Sequence, residues 1–166
     1  MTAEVNFVRQ QGLRNASPDD CALQYPAMMW QPRLLGALVL AGVLFQSWRW
    51  FLGLTALLWW NAALPRLNPF DALYNVLAVK PKGFPLLGPA PAPRRFAQAM
   101  AGTFMLAIGL SLLAGWRGVA WAIEALLLGA LGALIFGRFC LGSYLYLLLT
   151  GQGEFANRTL PWARTK

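Results

Sequence analysis

Four apolar runs, parted by tryptophan–arginine pairs and by one long proline-rich loop, constrain this chain more than anything else in it. They cover residues 34–48, 50–64, 96–116 and 119–137 of 166. Across the chain 58% of residues are hydrophobic and only 12% are charged, against about 25% charged in a soluble domain. A soluble fold this small buries only part of the surface its chain exposes. Lipid removes that conflict. The expected fold is an all-α membrane protein with four transmembrane helices in two helical hairpins, a duplicated unit. Short interfacial helices follow the second and fourth spans.

The runs differ in length. Residues 96–116 and 119–137 are long enough to cross a hydrocarbon core of about 30 Å. Residues 34–48 and 50–64 would each span about 22 Å as helix, so the first hairpin either borrows its Trp-rich ends or thins the bilayer. A single helix through both would put Arg49 at mid-membrane, at a cost of a few kcal/mol. The hairpin reading instead places Arg49 with Trp48 and Trp50 at an interface. Pro65 stops the second run, since it lacks an amide proton and clashes with the turn before it.

Domain organisation follows. Residues 1–33 form an N-terminal tail, polar and irregular, with turn signals at Ser17-Pro18-Asp19-Asp20 and an apolar patch from Tyr25 to Trp30. The tail has no early apolar segment of signal-peptide type. Residues 34–150 are the membrane domain, and 151–166 are a basic tail. Between the hairpins, residues 70–79 read as a short amphipathic helix, with Leu73, Val76 and Leu77 on one face and Asp71 and Asn75 on the other. It is too short to span and belongs in the interface plane. The stretch from Lys80 to Arg95, with Pro81, Pro85, Pro89, Pro91 and Pro93, reads as an extended linker. Residues 139–149 form the second interfacial segment.

The duplication rests on pattern: in each half a basic residue precedes an apolar helix, a Trp-Arg tip, a second apolar helix and a short segment. Trp48-Arg49 answers Trp116-Arg117. Orientation rests on charge. The two tails and the central loop carry twelve of the fourteen Lys and Arg residues, and the tips carry only Arg49 and Arg117. The positive-inside rule then puts both termini and the central loop in the cytoplasm. The net charge of +8 is read as topology and lipid-phosphate contact, since no nucleic-acid-binding spacing is present.

Few residues offer chemistry. The chain has no histidine, which excludes His-ligated metal and cofactor sites and His-based triads. There are no paired carboxylates and no phosphate-binding glycine loop. Glu124 lies inside the fourth run. An intramembrane carboxylate is a functional candidate by default, with an ion pair to Arg49 or Arg117 as the structural alternative. Cys140 is the second candidate, because a cation such as Arg138 beside a thiol raises its reactivity. Packing is the alternative reading there. Belt anchoring accounts for Trp48, Trp50 and Trp116. Anchoring or packing is the expected role of Trp59 and Trp60, with a partner helix, a lipid or a pigment ring as what the pair could otherwise face. Small residues on the third run (Ala99, Ala101, Gly102, Ala107, Gly109) and the fourth (Gly129 to Ala133) supply close-packing surfaces.

Three stretches carry a family resemblance: Asn68-Pro69-Phe70-Asp71, Pro93-Arg94-Arg95-Phe96-Ala97-Gln98, and Arg138-Phe139-Cys140-Leu141-Gly142-Ser143-Tyr144-Leu145-Tyr146. With them the chain resembles, over residues 33–150, the bacterial membrane family called domain of unknown function 4395, and the resemblance implies a bacterial inner membrane. Members typically close the domain with Phe-Cys-Leu-Gly-Cys. Some are encoded beside sulfurtransferase or thioredoxin-like proteins, so the resemblance implies thiol or sulfur chemistry. This chain keeps Cys140 and has Ser143 where the second cysteine would stand, and dithiol exchange needs both sulfurs.

The functional expectation is therefore a noncatalytic membrane accessory or scaffold subunit, not an enzyme, packing against other transmembrane helices of a larger respiratory or photosynthetic complex. Its expected partners are membrane lipids and other membrane subunits, not nucleic acid. No cofactor is expected; a bound lipid is compatible with the reading, and a pigment is left open. Thiol handling at Cys140 and a transport or proton path through Glu124 are the alternatives.

Overall fold

The computed structural model describes residues 3–79 and 87–163. Lys80, Pro81, Lys82 and Pro85 of the expected linker, and Arg164 and Lys166 of the tail, lie outside the described residues. Among those described the chain is helical with no strand. The elements are α1 (Ala3–Gln10), α2 (Pro18–Phe45), α3 (Trp48–Ala63), α4 (Pro69–Tyr74), α5 (Ala92–Leu113), α6 (Arg117–Ile135), α7 (Leu141–Leu149) and α8 (Gly153–Arg158). A 3-10 turn (Pro65–Leu67) precedes α4, and a π-helical turn (Asn75–Val79) continues it. Three helices, α2, α5 and α6, are long and apolar enough to cross a membrane. The fourth apolar helix, α3, has 16 residues, about 24 Å.

The N-terminal region departs from the expected irregular tail. It contains α1 and the first half of α2, which starts well before Leu34. The Ser17-Pro18-Asp19-Asp20 sequence is a helix start. Ser17 Oγ accepts the Asp20 amide at 3.1 Å, while the Ser17 amide donates to the Asp20 carboxylate at 3.3 Å. Pro18 suits the first turn, where no amide proton is needed. A capping box was thus legible where a turn was read. Helix α1 lies against α2, and Phe7, Val8, Cys21, Met28, Met29 and Cys140 share one buried cluster. The C-terminal tail closes on the same cap: the Asn6 side-chain amide donates to the carbonyls of Leu160 (2.9 Å) and Ala163 (3.2 Å).

The corner between α2 and α3 falls at Gln46-Ser47, not at Arg49. Gln46 takes a left-handed conformation (φ 47°). Arg49 sits in the first turn of α3 with its guanidinium 5.0 Å from the Trp48 ring. Helix α5 is the hub, packing on α3, α6 and α7. Its approach to α3 depends on the expected small residues. A Cβ on Gly102 would lie 2.7 Å from the Trp59 ring, and one on Gly109 would lie 2.9 Å from Leu52. The main core draws Val39 from α2, Phe51 and Leu58 from α3, Met105 and Ile108 from α5, and Leu127 from α6.

The segment over residues 69–79 is amphipathic as expected, with Asp71 turned inward. Asp71 is buried, while Leu73, Val76 and Leu77 are exposed. Phe70 and Tyr74 are buried on the same side as Asp71, so the inward face is mixed and the outer one aliphatic.

Candidate functional site

Arg94 and Arg95 occupy the first turn of α5, the end of a helix least suited to cations, because the macrodipole is positive there. Each therefore needs an acceptor elsewhere. The Arg95 Nε–H donates to the Ala62 carbonyl at 2.7 Å, covering an open carbonyl at the end of α3. Arg94 turns into the protein. Its Nη2 donates to Asp71 Oδ1 and to Gln31 Oε1, both at 2.7 Å. Both members of the Asp71–Arg94 ion pair are more than nine-tenths buried.

Asp71 is held in turn by Asn68, whose amide donates to Oδ2 at 2.9 Å, while Asn68 Oδ1 caps α4 by accepting the Phe70 amide at 3.0 Å. Gln98, one turn along α5, donates through Nε2 to Gln31 Oε1 at 2.9 Å. Five side chains from α2, α4, α5 and the α4 cap thus form one buried polar knot. Low dielectric strengthens each of its bonds and raises the cost of breaking one.

The knot borders a cavity of about 230 Å³. Gln31, Arg94 and Gln98 form part of its wall, with Gln11 from the α1–α2 connection and Cys140 and Gly142 from the start of α7. The rest of the wall is apolar, with Leu35 of α2, Phe104 of α5 and Leu127 and Leu131 of α6 among its residues. Gly142 lets α7 cross α5 closely, since a Cβ there would lie 2.7 Å from the Ala97 backbone. The three stretches singled out in the sequence therefore meet: Asn68–Asp71 and Arg94–Gln98 make the knot, and Cys140–Gly142 lies in the cavity wall beside it.

Cys140 is buried, and its backbone amide donates to Gln10 Oε1 at 2.9 Å. Arg138 is engaged elsewhere. Its guanidinium bonds the Tyr25 hydroxyl (3.2 Å) and pairs with Glu4 (3.2 Å). Ser143, one turn past Cys140, is fully buried with no partner for its hydroxyl.

Glu124 lies apart from this cluster. Neither Arg49 nor Arg117 pairs with it. Gln46 at the α2–α3 corner donates to both carboxylate oxygens, at 3.1 and 3.0 Å, and to the Val43 carbonyl at 2.8 Å. The Trp121 indole donates to Gln46 Oε1 at 3.1 Å. Glu124 thus receives a neutral amide that ties α6 to the corner. The Trp59 and Trp60 indoles donate to the carbonyls of Ala99 and Leu67, with their rings half-exposed. Trp50 donates to the Leu38 carbonyl at 2.8 Å, and Trp116 is exposed at the far tip.

Sequence reasoning missed the knot's roles. Arg94 stands there among the topology charges and the residues of the family resemblance, and Asp71 on the face opposite Leu73, with no contact between them foreseen. Two arginines in a helix's first turn were the available signal. Gln31 and Gln98 carried none of their own. Among the described residues no group of three or more His, Cys, Asp or Glu could hold a metal ion.

The sequence profile of the family described as Domain of unknown function (DUF4395) matches residues 30–150. That range takes in the whole knot and Cys140 and leaves out Gln10 and Gln11. No curated protein and no solved structure matches the chain.

Proposed function

The chain belongs to the DUF4395 family, and from that premise we propose that it is a noncatalytic, four-span membrane subunit that docks a transmembrane helix of a larger complex on α6. The observation that carries this reading is a contrast between two glycine faces. On α5, Gly102 and Gly109 are filled by α3. On α6, nothing lies within 4 Å of a Cβ built on Gly129 or Gly132. Helix α6 is also the least buried of the three long apolar helices. Helices associate in lipid by close backbone approach at such small residues, so the α6 face is the one a partner fits. Glu124, clamped by Gln46, is structural in this reading.

Four crossings require α3 to span, with its two-residue corner making the first hairpin and α5–α6 the second, the duplicated arrangement. Contact between Asn6 and Leu160 supports an even number, because an odd number would separate the termini across the bilayer. The basic loop and tails support a cytoplasmic side for both ends in a bacterial inner membrane. Cysteines placed near Arg49 and Arg117 should then label from outside, and labelling of the two tips from opposite sides would end the four-span reading.

The docking test is co-purification from native membranes in mild detergent. Wild type should bring down a stoichiometric membrane partner, and the Gly129→Leu, Gly132→Leu double variant should lose it while remaining folded. A wild-type protein that runs alone would sink the proposal. Thiol chemistry at Cys140 is the second reading, favoured by its place in the cavity wall. A Cys140→Ser variant with full sulfur-dependent activity in cells would remove it.

A further inference from the structure

Arg66 and Arg95 flank the C-terminal end of α3, and among the described residues neither is paired with a carboxylate. Resting on the four-span reading, in which α3 crosses the bilayer, we propose that this end of the protein is a docking surface for anionic phospholipid. The two guanidiniums receive the headgroup phosphates.

The Arg95 fork is already held in place. Its Nε–H donates to the Ala62 carbonyl at 2.7 Å. Its two terminal NH2 groups have no acceptor among the described residues, and the residue is exposed. Arg66 follows in the 3-10 turn after α3. It is exposed too, with no hydrogen bond or ion pair among the described residues. The turn is tied back onto α3 by the Trp60 indole, which donates to the Leu67 carbonyl at 3.1 Å. Both cations thus stand at one helix end with donors to spare. Guanidinium donors suit phosphate oxygens, which accept two at a time.

Charge chooses the headgroup. Asp71 is the one acid between Leu64 and Arg95, and it is buried against Arg94 and Asn68. The same stretch of sequence adds Lys80 and Lys82. A zwitterionic head brings a cation along with its phosphate, and that cation meets no exposed carboxylate on this stretch. An anionic head brings no cation, and each basic residue near the surface adds to its attraction.

The apolar part sets the depth. Leu67, Leu73, Val76 and Leu77 are exposed, the aliphatic side of a segment that lies in the interface plane. Helix α3 has 16 residues, about 24 Å of rise against a hydrocarbon core of about 30 Å. A span that short thins the bilayer around it. The headgroups are thereby drawn toward the end of α3, where Arg66 and Arg95 stand.

The test uses the full chain in mild-detergent micelles. Phosphatidylglycerol and phosphatidylcholine with identical acyl chains are titrated in turn, and bound lipid is counted by native mass spectrometry. Wild type should prefer phosphatidylglycerol on the order of twentyfold, about fivefold for each arginine. Arg66→Gln disturbs no hydrogen bond of the fold and should lower the preference about fivefold. Arg95→Gln should do the same; if it also lowers the melting temperature, Arg66→Gln decides alone. The double variant should bind the two lipids alike. Arg49→Gln and Arg117→Gln, at the two tips, should keep the wild-type preference. Equal binding of the two lipids by wild type would overturn the proposal. So would a loss in the tip variants as large as that in Arg66→Gln, which would mean charge attraction without a surface. Glycerophosphoglycerol, the same head without acyl chains, competing as well as the lipid would assign a soluble phosphate ligand and overturn it too. These ratios are read in micelles, apart from topology. Tips labelled from opposite sides would end the four-span reading, whereas equal binding by a four-span protein would remove this surface alone.

Discussion

Removing one member of the Asp71–Arg94 pair should be far more costly than removing both. In Asp71→Ala, Arg94 keeps only Gln31 as an acceptor and its charge stays buried without a counter-charge. In Arg94→Met, Asp71 keeps only the neutral Asn68 amide. Both side chains are under one-tenth exposed, so solvent gives little relief. Breaking such a pair from one side costs about 3–5 kcal/mol. Independent effects would therefore sum to about 6–10 kcal/mol in the double variant. The double variant has no stranded charge. Gln31 still accepts from Gln98 at 2.9 Å, and only the Asn68 amide loses its short acceptor, which costs about 1–3 kcal/mol. The double variant should thus be more stable than either single one, with a coupling of several kcal/mol. Unfolding in mixed micelles by increasing SDS mole fraction, followed by Trp fluorescence, measures all four corners of the cycle. Additive losses, or single losses below about 1 kcal/mol as at an exposed pair, would refute the account of a buried, charge-coupled knot.

Three further outcomes follow from the packing. Gly102→Leu should destabilise the fold by about 1–3 kcal/mol in the same titration, since it overpacks the α3–α5 contact, whereas Gly129→Leu should leave the isolated chain within about 0.5 kcal/mol; equal losses would contradict the contrast between the two faces. Glu124→Gln, which retains an acceptor for Gln46, should be tolerated, while Glu124→Leu should cost about 1–3 kcal/mol. Arg49→Ala should change neither value, and a matching loss in Arg49→Ala would restore the ion pair. Finally, Cys21 and Cys140, both buried, should react with a maleimide in the folded protein far more slowly than after SDS unfolding. Prompt labelling of Cys21 would show that the α1–α2 cap is open.

The apolar runs were legible because hydrophobicity and length alone decide where a long helix can lie in lipid, and α5 and α6 match those runs to within a few residues. Helix ends were less legible. Pro18 and Pro93 read as breaks from composition, yet both sit in first turns, where proline is tolerated. The N-terminal cap was missed because, although α1 packs on its neighbour α2, it is closed by Cys140 and the C-terminal tail, far away in sequence. The site was legible only as three stretches of unexplained residues. Their meeting depends on α5 lying between α4 and α7, which no local periodicity encodes. Asp71 was placed opposite Leu73, and polar faces of surface helices usually meet water. Here Leu73, Val76 and Leu77 form the exterior, and Asp71 turns inward with Phe70 and Tyr74.

Helix α3 is joined to α2 by two residues but takes its principal support from α5, beyond everything between Ala63 and Ala92. As the chain is synthesised, α2 and α3 emerge together and must wait. The glycine-lined surface that receives Trp59 and Leu52, and the arginine that covers the Ala62 carbonyl, are not yet made. The first half of the protein is therefore a client of the second during folding. A chain ending before α5 would leave α3 without the helix that supplies most of its packing.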